Sequence, residues 1–343
     1  MDLVFKFKGG NIMSTNKKVG ILFTGGTISM TIDKEIGANV PTLSGEQIMS
    51  MATNVKDVAD FEIKDFDEIP GPHMTPEKLM KLKHSVLELL NREDICGVVI
   101  THGTDSLEES AFFLDLVIDH EKPVIVTGAM RSSSELGYDG SNNLSSAICV
   151  AISDNAKNKG VLVVLNNEVL LASEATKTDT MALNTFKAPI KGSLGIVDNN
   201  ELLLFKNVTH RTFIDTDNVE TKVALFKSGI GMDDTFIKHA VDMGYKGIVI
   251  EAMGRGNIPP LMYEGVKYAR ENGIIVVITS RCSTGRVHDS YGYLGSGRDL
   301  KNIGCIFAGD LNGHKARIKL MLALGKTNNL DEIKDYFEKG IYY

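Results

Sequence analysis

The run Gly97-Val98-Val99-Ile100 is apolar and largely β-branched, and it breaks off into Thr101-His102-Gly103-Thr104-Asp105. A stretch with acids at Glu108 and Glu109 follows, patterned like an amphipathic helix. The segment reads as a strand, a tight loop and a helix N-terminus. The same unit recurs along the chain. Continuous apolar runs stand at Val19–Phe23, Pro123–Thr127 and Val161–Leu165, then at Val223–Phe226, Gly247–Ile250 and Ile274–Ile278. Continuous rather than alternating runs are what parallel strands covered on both faces require. Helical patterns lie between them, at Thr75–Asn91, Ser106–Asp119, Asn142–Ala156, Asp233–Met243 and Pro260–Glu271. Thr75-Pro76 supplies a cap followed by proline at the first helical position, and Ser106-x-x-Glu109 predicts a capping box. This alternation implies an α/β fold with a mostly parallel sheet and right-handed crossovers.

With 343 residues, the chain is long enough for about two domains. The polar, aperiodic stretch from about Lys206 to Lys222 is the expected boundary, giving domains at 17–210 and 223–343 with a linker at 211–222. Residues 1–16 read as an extension: they carry lysines but no apolar core of signal-peptide length. The net charge of −7 argues against a nucleic-acid partner, whose footprint is basic. No run reaches the length of a membrane span. Of the four cysteines, Cys96, Cys149 and Cys305 lie in apolar surroundings, none with Cys282 forms a C-x-x-C pair, and no zinc site is expected. A soluble protein of a reducing compartment, the cytoplasm, fits these features.

Chemistry is sought in loops at the carboxyl ends of strands, where open α/β sheets bind ligands. The first strand ends in Thr24-Gly25-Gly26-Thr27-Ile28, where two glycines permit a sharp turn and a hydroxyl follows. Taken alone, this is as readily a plain βα turn. No G-x-G-x-x-G and no P-loop is present, which weakens nucleotide readings. The segment from Ser29 to Gly45 is polar and contains Gly37 and Pro41, so it suits either a lid or an ordinary surface loop. Another strand ends in Thr127-Gly128-Ala129-Met130-Arg131, where a small residue leaves an N–H able to act as an oxyanion donor. Lys177 sits in a small polar stretch, and spacing alone does not pair it with Asp105. Hydroxyl nucleophiles are weak at neutral pH and need a base nearby, which a lysine–aspartate couple can supply.

These motifs together resemble the bacterial-type L-asparaginases. The resemblance rests on Thr24 to Ile28, Thr101 to Glu109, Thr127 to Arg131, Thr176-Lys177-Thr178 followed by Phe186, Gly254 to Asn257, and Lys315-Ala316-Arg317. It runs from about Lys18 to the C-terminus. It implies a larger, doubly wound N-terminal domain, a smaller C-terminal α/β domain, and hydrolysis of a side-chain amide without metal or organic cofactor. Thr27 would be the nucleophile that forms an acyl-enzyme, and Thr104, Asp105 and Lys177 would relay a proton and prepare the water. Backbone groups of Thr27 and Ala129 would hold the oxyanion. Gly26, Gly71, Pro72, His73 and Gly103 would line the substrate, with Asn257 reaching over from a second subunit of a dimer or dimer of dimers. No tyrosine lies in the Lys34 to Asn39 region, and Gly71-Pro72 stands where many members carry a Ser-Gln pair gripping the substrate carboxylate. The resemblance implies L-asparagine as substrate, with a broader glutaminase-asparaginase, or a non-catalytic amino-acid-binding homologue, as alternatives. An ammonia-releasing amidotransferase subunit is disfavoured, since only 23 residues precede Thr24.

Overall fold

The computed structural model describes residues 17–339 other than 53–54 and 56–57; the expected extension at 1–16 lies outside the described residues. The chain starts with β1 (Lys18–Gly25), then a hairpin of β2 (Met30–Asp33) and β3 (Ala38–Pro41), α1 (Gly45–Met51) and β4 (Asp60–Ile69). It continues through α2 (Pro76–Leu90), β5 (Ile95–Thr101), α3 (Leu107–Val117), β6 (Val124–Thr127), α4 (Gly140–Ala151) and β7 (Val161–Leu165). The expected strands and helices are present here, with ends shifted by a few residues. β4 escaped the apolar-run criterion. Its charged residues Glu62, Lys64 and Asp67 interrupt the run, which an edge strand tolerates because it is not enclosed on all sides.

Parallel pairing does not hold to the end of the first sheet. β8 (Glu168–Leu171) runs antiparallel to β7, and β11 (Gly195–Asp198) and β12 (Glu201–Leu204) extend that edge antiparallel. Two Asn-Asn turns reverse the chain. Asn166 and Asn167 have φ of 50° and 62°, and Asn199 and Asn200 have 48° and 63°, the left-handed pair that a two-residue hairpin requires. Between them a ribbon of β9 (Thr176–Lys177) and β10 (Phe186–Lys187) stands off the main sheet.

From Phe205 to Lys222 there is no helix or strand. This stretch is nonetheless held down: Arg211 donates to Asp115 and to the carbonyls of Asp115 and Ile118, and Ile214 N–H donates to Leu116 O. The C-terminal part is β13 (Val223–Lys227), α5 (Thr235–Asp242), β14 (Gly247–Ala252), α6 (Pro260–Glu271), β15 (Ile275–Ser280), α7 (Gly297–Asn302), β16 (Ile306–Phe307), α8 (Gly313–Lys326) and α9 (Leu330–Glu338). Its four strands form a separate, smaller parallel sheet.

Strand residues alternate between two cores. Leu22, Val98, Ile100, Val126 and Val163 face α2 and α3, while Ile21, Phe23, Val99, Ile125 and Val164 face α1 and α4. The first core continues without a break into the small domain through α8 and α9, with α3 packed on α8. The other face of the small sheet is covered by α5 and α6. Cys149 and Cys305 are buried, but Cys96 is only half-buried and Cys282 is exposed; all four are free thiols. No helix among the described residues is long and apolar enough to cross a membrane.

The large sheet has the order β12-β11-β8-β7-β6-β5-β1-β4. The chain steps from β1 to β4 on one side, then crosses to β5 on the other and continues to β6 and β7. The reversal of direction therefore falls at β1 and β5, and ligand sites of open α/β sheets lie at such a switch point. There the backbones of three turns touch. A Cβ on Gly26 would overlap the backbone of Gly103, and one on Gly103 would lie 2.6 Å from the N atom of Gly71. Ser106 joins the same contact, donating to Gly71 O at 2.6 Å, so the capping box expected at Ser106 does not form. By contrast, Thr75 caps α2 as expected, accepting from the Lys78 N–H.

Gly26 also holds a φ of 81°, which side chains rarely adopt. Gly26→Ala is therefore expected to destabilise the fold by about 2–4 kcal/mol, combining backbone strain with overpacking. Urea unfolding checks this, and a midpoint equal to that of the wild type would show that the turns do not touch as described.

Candidate active site

Lys177 is the centre of the polar cluster at the switch point. Its Nζ donates to Thr104 Oγ1 at 3.0 Å and to Asp105 Oδ1 at 2.6 Å. Thr104 and Asp105 follow β5, whereas Lys177 comes from β9, so the cluster is assembled across 72 residues of sequence. The Lys177 side chain is 16% exposed and the Asp105 carboxylate 65%, so the cluster has a protected end and an open one. Asp105, Lys177, Thr178, Asp179 and Thr180 line an open cleft on this side. An ammonium in contact with a hydroxyl and a carboxylate can pass a proton among them or orient a water.

β9 is only two residues long, so outside contacts must fix it. Phe186, buried on β10, pairs with Lys177 in the ribbon. The Lys177 N–H donates to Glu108 Oε1 at 3.1 Å. Glu108 is buried in the first turn of α3, with His314 Nε2 at 3.1 Å and Lys315 Nζ at 3.8 Å from its other oxygen. Burial opposes ionisation of Glu108, but His314 and Lys315 outweigh it and hold the carboxyl below its ordinary range. Lys315 is fully enclosed. It donates to the carbonyls of Ala172, Ser173 and Ala175, the turn that leads into β9. Glu108 and Lys315 thus clamp the backbone on which Lys177 stands. Both belonged to sequence motifs noted above, yet this role was not read from them. No local pattern marks either residue, since Glu108 is followed by Glu109 and Lys315 preceded by His314.

Thr27 opens a single 3-10 turn directly after Gly26 and is half-buried. Ser29 closes the turn, its Oγ donating to Gly26 O at 2.8 Å, and Tyr138 Oη donates to Ile28 O at 3.1 Å. Because Gly26 and Gly103 touch, Thr27 and Thr104 each stand one residue beyond the contact. The segment after Thr27 is the β2–β3 hairpin. Ala129 is fully buried at the end of β6. The next two N–H groups, of Met130 and Arg131, are held by the Asp139 carboxylate, which Asn143 also contacts.

Gly71 begins a short 3-10 turn beside Gly103, while Pro72 and His73 are exposed. Asn257 is not part of this cluster within the chain. It lies beyond β14 in the small domain, and its Oδ1 accepts from the Gly297 N–H at 3.3 Å. His102 is buried beneath the loop with its pKa lowered by burial, and its Nδ1 is 2.9 Å from Gly103 O. Among the described residues no group of three or more His, Cys, Asp or Glu is arranged to hold a metal ion.

Comparison with known proteins finds likeness along nearly the whole chain. Residues 18–210 match the family model described as Asparaginase, N-terminal, and residues 222–337 match the Glutaminase/Asparaginase C-terminal domain. The chain is 34% identical to an L-asparaginase of Bacillus licheniformis, over 94% of this chain and 99% of that protein. It is 31% identical to a glutaminase-asparaginase of Pseudomonas aeruginosa, over 93% of this chain and 89% of that protein. The crystal structure of a protein described as a probable cytoplasmic L-asparaginase from Campylobacter jejuni superposes with a TM-score of 0.82 at 33% identity, covering 94% of this chain and 99% of that one.

The clamp makes a prediction about pH. Burial lowers the pKa of Lys315 to about 8, against 10.5 for the free side chain. Between those values the unfolded chain carries a proton that the folded chain has released. Lys315 therefore makes stability rise with pH across that window, and the cost of its charge is borne in full below pH 8. Lys315→Met is expected to remove this rise. Urea unfolding at about pH 7.5 and about pH 9.5 measures it, and an unchanged difference between the two would refute the account.

Proposed function

The chain belongs to the asparaginase family, and on that footing we propose that it hydrolyses the side-chain amide of L-asparagine to L-aspartate and ammonia. The observation that carries the reading is the single Lys177 ammonium bridging Thr104 and Asp105 at the switch point, one residue from the turn that presents Thr27.

In this mechanism Thr27 Oγ attacks the amide carbon. Its proton passes to the departing nitrogen, the C–N bond breaks, ammonia leaves, and an ester to Thr27 remains. Water, oriented by Thr104 with Lys177 and Asp105 behind it, attacks the ester and releases aspartate and the free hydroxyl. The N–H groups of Thr27 and Ala129 bind the oxyanion in both steps; one such donor is typically worth about 2.7–4 kcal/mol of barrier. The rigid turn that holds Met130 and Arg131 on Asp139 supports this role for Ala129. The exposed Asp105 carboxylate is suited to the α-ammonium of the substrate. Gly26, Gly71, Pro72 and Gly103 shape the floor. With no Ser-Gln pair present, His73 is the polar side chain left on that rim for the α-carboxylate. Within its own chain Asn257 is engaged in the small domain, accepting from the Gly297 N–H, which favours a second copy as its point of action and a dimer or dimer of dimers as the working form. The active unit comprises domains 17–210 and 223–343 joined by 211–222, and we assign it to the cytoplasm, as its structural neighbour is described.

Ammonia release from L-asparagine, L-glutamine and D-asparagine tests the reading. Release from L-asparagine is expected, and none from any amide would leave only a binding protein. Turnover of L-glutamine at a similar rate would favour the broader activity for which the Pseudomonas relative is named. Thr27→Ala is expected to abolish nearly all turnover with the fold intact by circular dichroism. Thr104→Val and Lys177→Met should each lower kcat more than about 100-fold, the usual worth of acid–base assistance. Wild-type kcat in those variants would remove the relay. Specific activity should also fall on dilution as subunits part, whereas a fully active monomer by ultracentrifugation would rule out a shared site.

A further inference from the structure

A second polar cavity lies away from this cluster, where the two domains meet. Its volume is about 430 Å3. Phe112 and Leu116 of α3, Leu171, Ala308 and Leu311 supply apolar walls, and the chain from Lys206 to Thr212 closes one side. Lys319 of α8 reaches into it. This side chain is only 5% exposed, its Nζ donates to Thr212 Oγ1 at 3.1 Å, and it sits 5.2 Å from the Phe337 ring centroid. An ammonium has three N–H donors, and a buried charge is normally paired. Among the described residues no carboxylate is ion-paired with Lys319.

The acids around the cavity are already engaged. Asp115 accepts from Arg211 at 3.1 Å and from the Val161 N–H at 2.9 Å. Glu174 is held by Lys206 at 3.0 Å and Lys191 at 3.7 Å, and Asp310 lies 3.5 Å from Lys191. With Lys319 protonated, the lining carries four lysine or arginine cations against three carboxylates, so one positive charge is in excess. Lys319 is the cation without a carboxylate.

We propose that this cavity between the domains is a binding site for a small oxyanion, carboxylate or inorganic, seated on the Lys319 ammonium. Lys319 and its Thr212 partner both line a chamber roomy enough for such an anion with a short hydrocarbon body. Burial also lowers the pKa of Lys319 to about 7, with Asp115 and Asp310 opposing that shift. An anion placed beside the nitrogen favours the charged form, so binding above neutrality draws a proton into the protein. His210, also on the wall, is retained when Lys319 is changed.

Calorimetric titration of the full chain with sodium succinate, and separately with sodium sulfate, tests this. At about pH 7.5 both probes are essentially ionised, and two buffers of different ionisation heat report proton exchange. Saturable binding with net proton uptake is expected. Succinate alone, sulfate alone or both would identify an organic, inorganic or general oxyanion site. Lys319→Met should weaken binding at least about tenfold and abolish the proton uptake, while hydrolysis in the absence of added anion is unchanged. Removing an unpaired buried charge is not expected to harm folding, and the proton uptake of the unaltered protein is a readout independent of any variant. The proposal is overturned if neither probe saturates, if binding occurs without proton uptake, or if Lys319→Met binds as tightly as the wild type.

Discussion

Contact between bare backbones at the ends of β1, β4 and β5 governs the rest of this molecule. Gly26, Gly103 and Gly71 approach so closely that a single methyl group at either of the first two would strike a neighbouring main chain. The approach is possible because three adjacent parallel strands end at one level, with Phe23 of β1 opposite Thr101 of β5 and Gly25 opposite Ile69 of β4. It also falls where the chain changes direction across the sheet. Thr27 and Thr104, on loops 77 residues apart, each directly follow one of the touching glycines.

The lysine of the cluster has a different kind of support. Lys177 stands on a strand too short to hold its own position. Its backbone is fixed by Glu108 of the large domain, and the preceding turn by Lys315 of the small one. The small domain therefore bears on the large domain's polar cluster through a buried ion pair and three carbonyls. Burying such charges is costly unless each is satisfied, so this arrangement makes the site depend on correct docking of the domains. The continuous core through α3 and α8 provides that docking.

Patterns that depend on one element and its solvent exposure were legible in the sequence. β7 spans the expected Val161–Leu165 and α6 the expected Pro260–Glu271, because a doubly covered strand must be apolar throughout and a surface helix must be apolar on one side. β4 was missed because an edge strand escapes that demand. The hairpins at Asn166-Asn167 and Asn199-Asn200 were missed because a two-residue turn is decided by local backbone conformation rather than by apolar runs. The box expected at Ser106 failed for a tertiary reason: the carbonyl of Gly71 lay within reach, and the hydroxyl serves that contact instead of the helix end.

The sequence by itself determined the alternation of strands and helices and the reactive residue types at strand ends, since both follow from the chemistry of short segments. It carried the family resemblance through the same loops. The resemblance implied that Lys177 acts with Thr104 and Asp105; only the tertiary structure decided that Glu108 and Lys315 hold it in place, and that among the described residues Lys319 is left without an ion-paired carboxylate. Those are relations between segments far apart in the chain, and their distances are set by how sheets and domains pack, which no local pattern encodes.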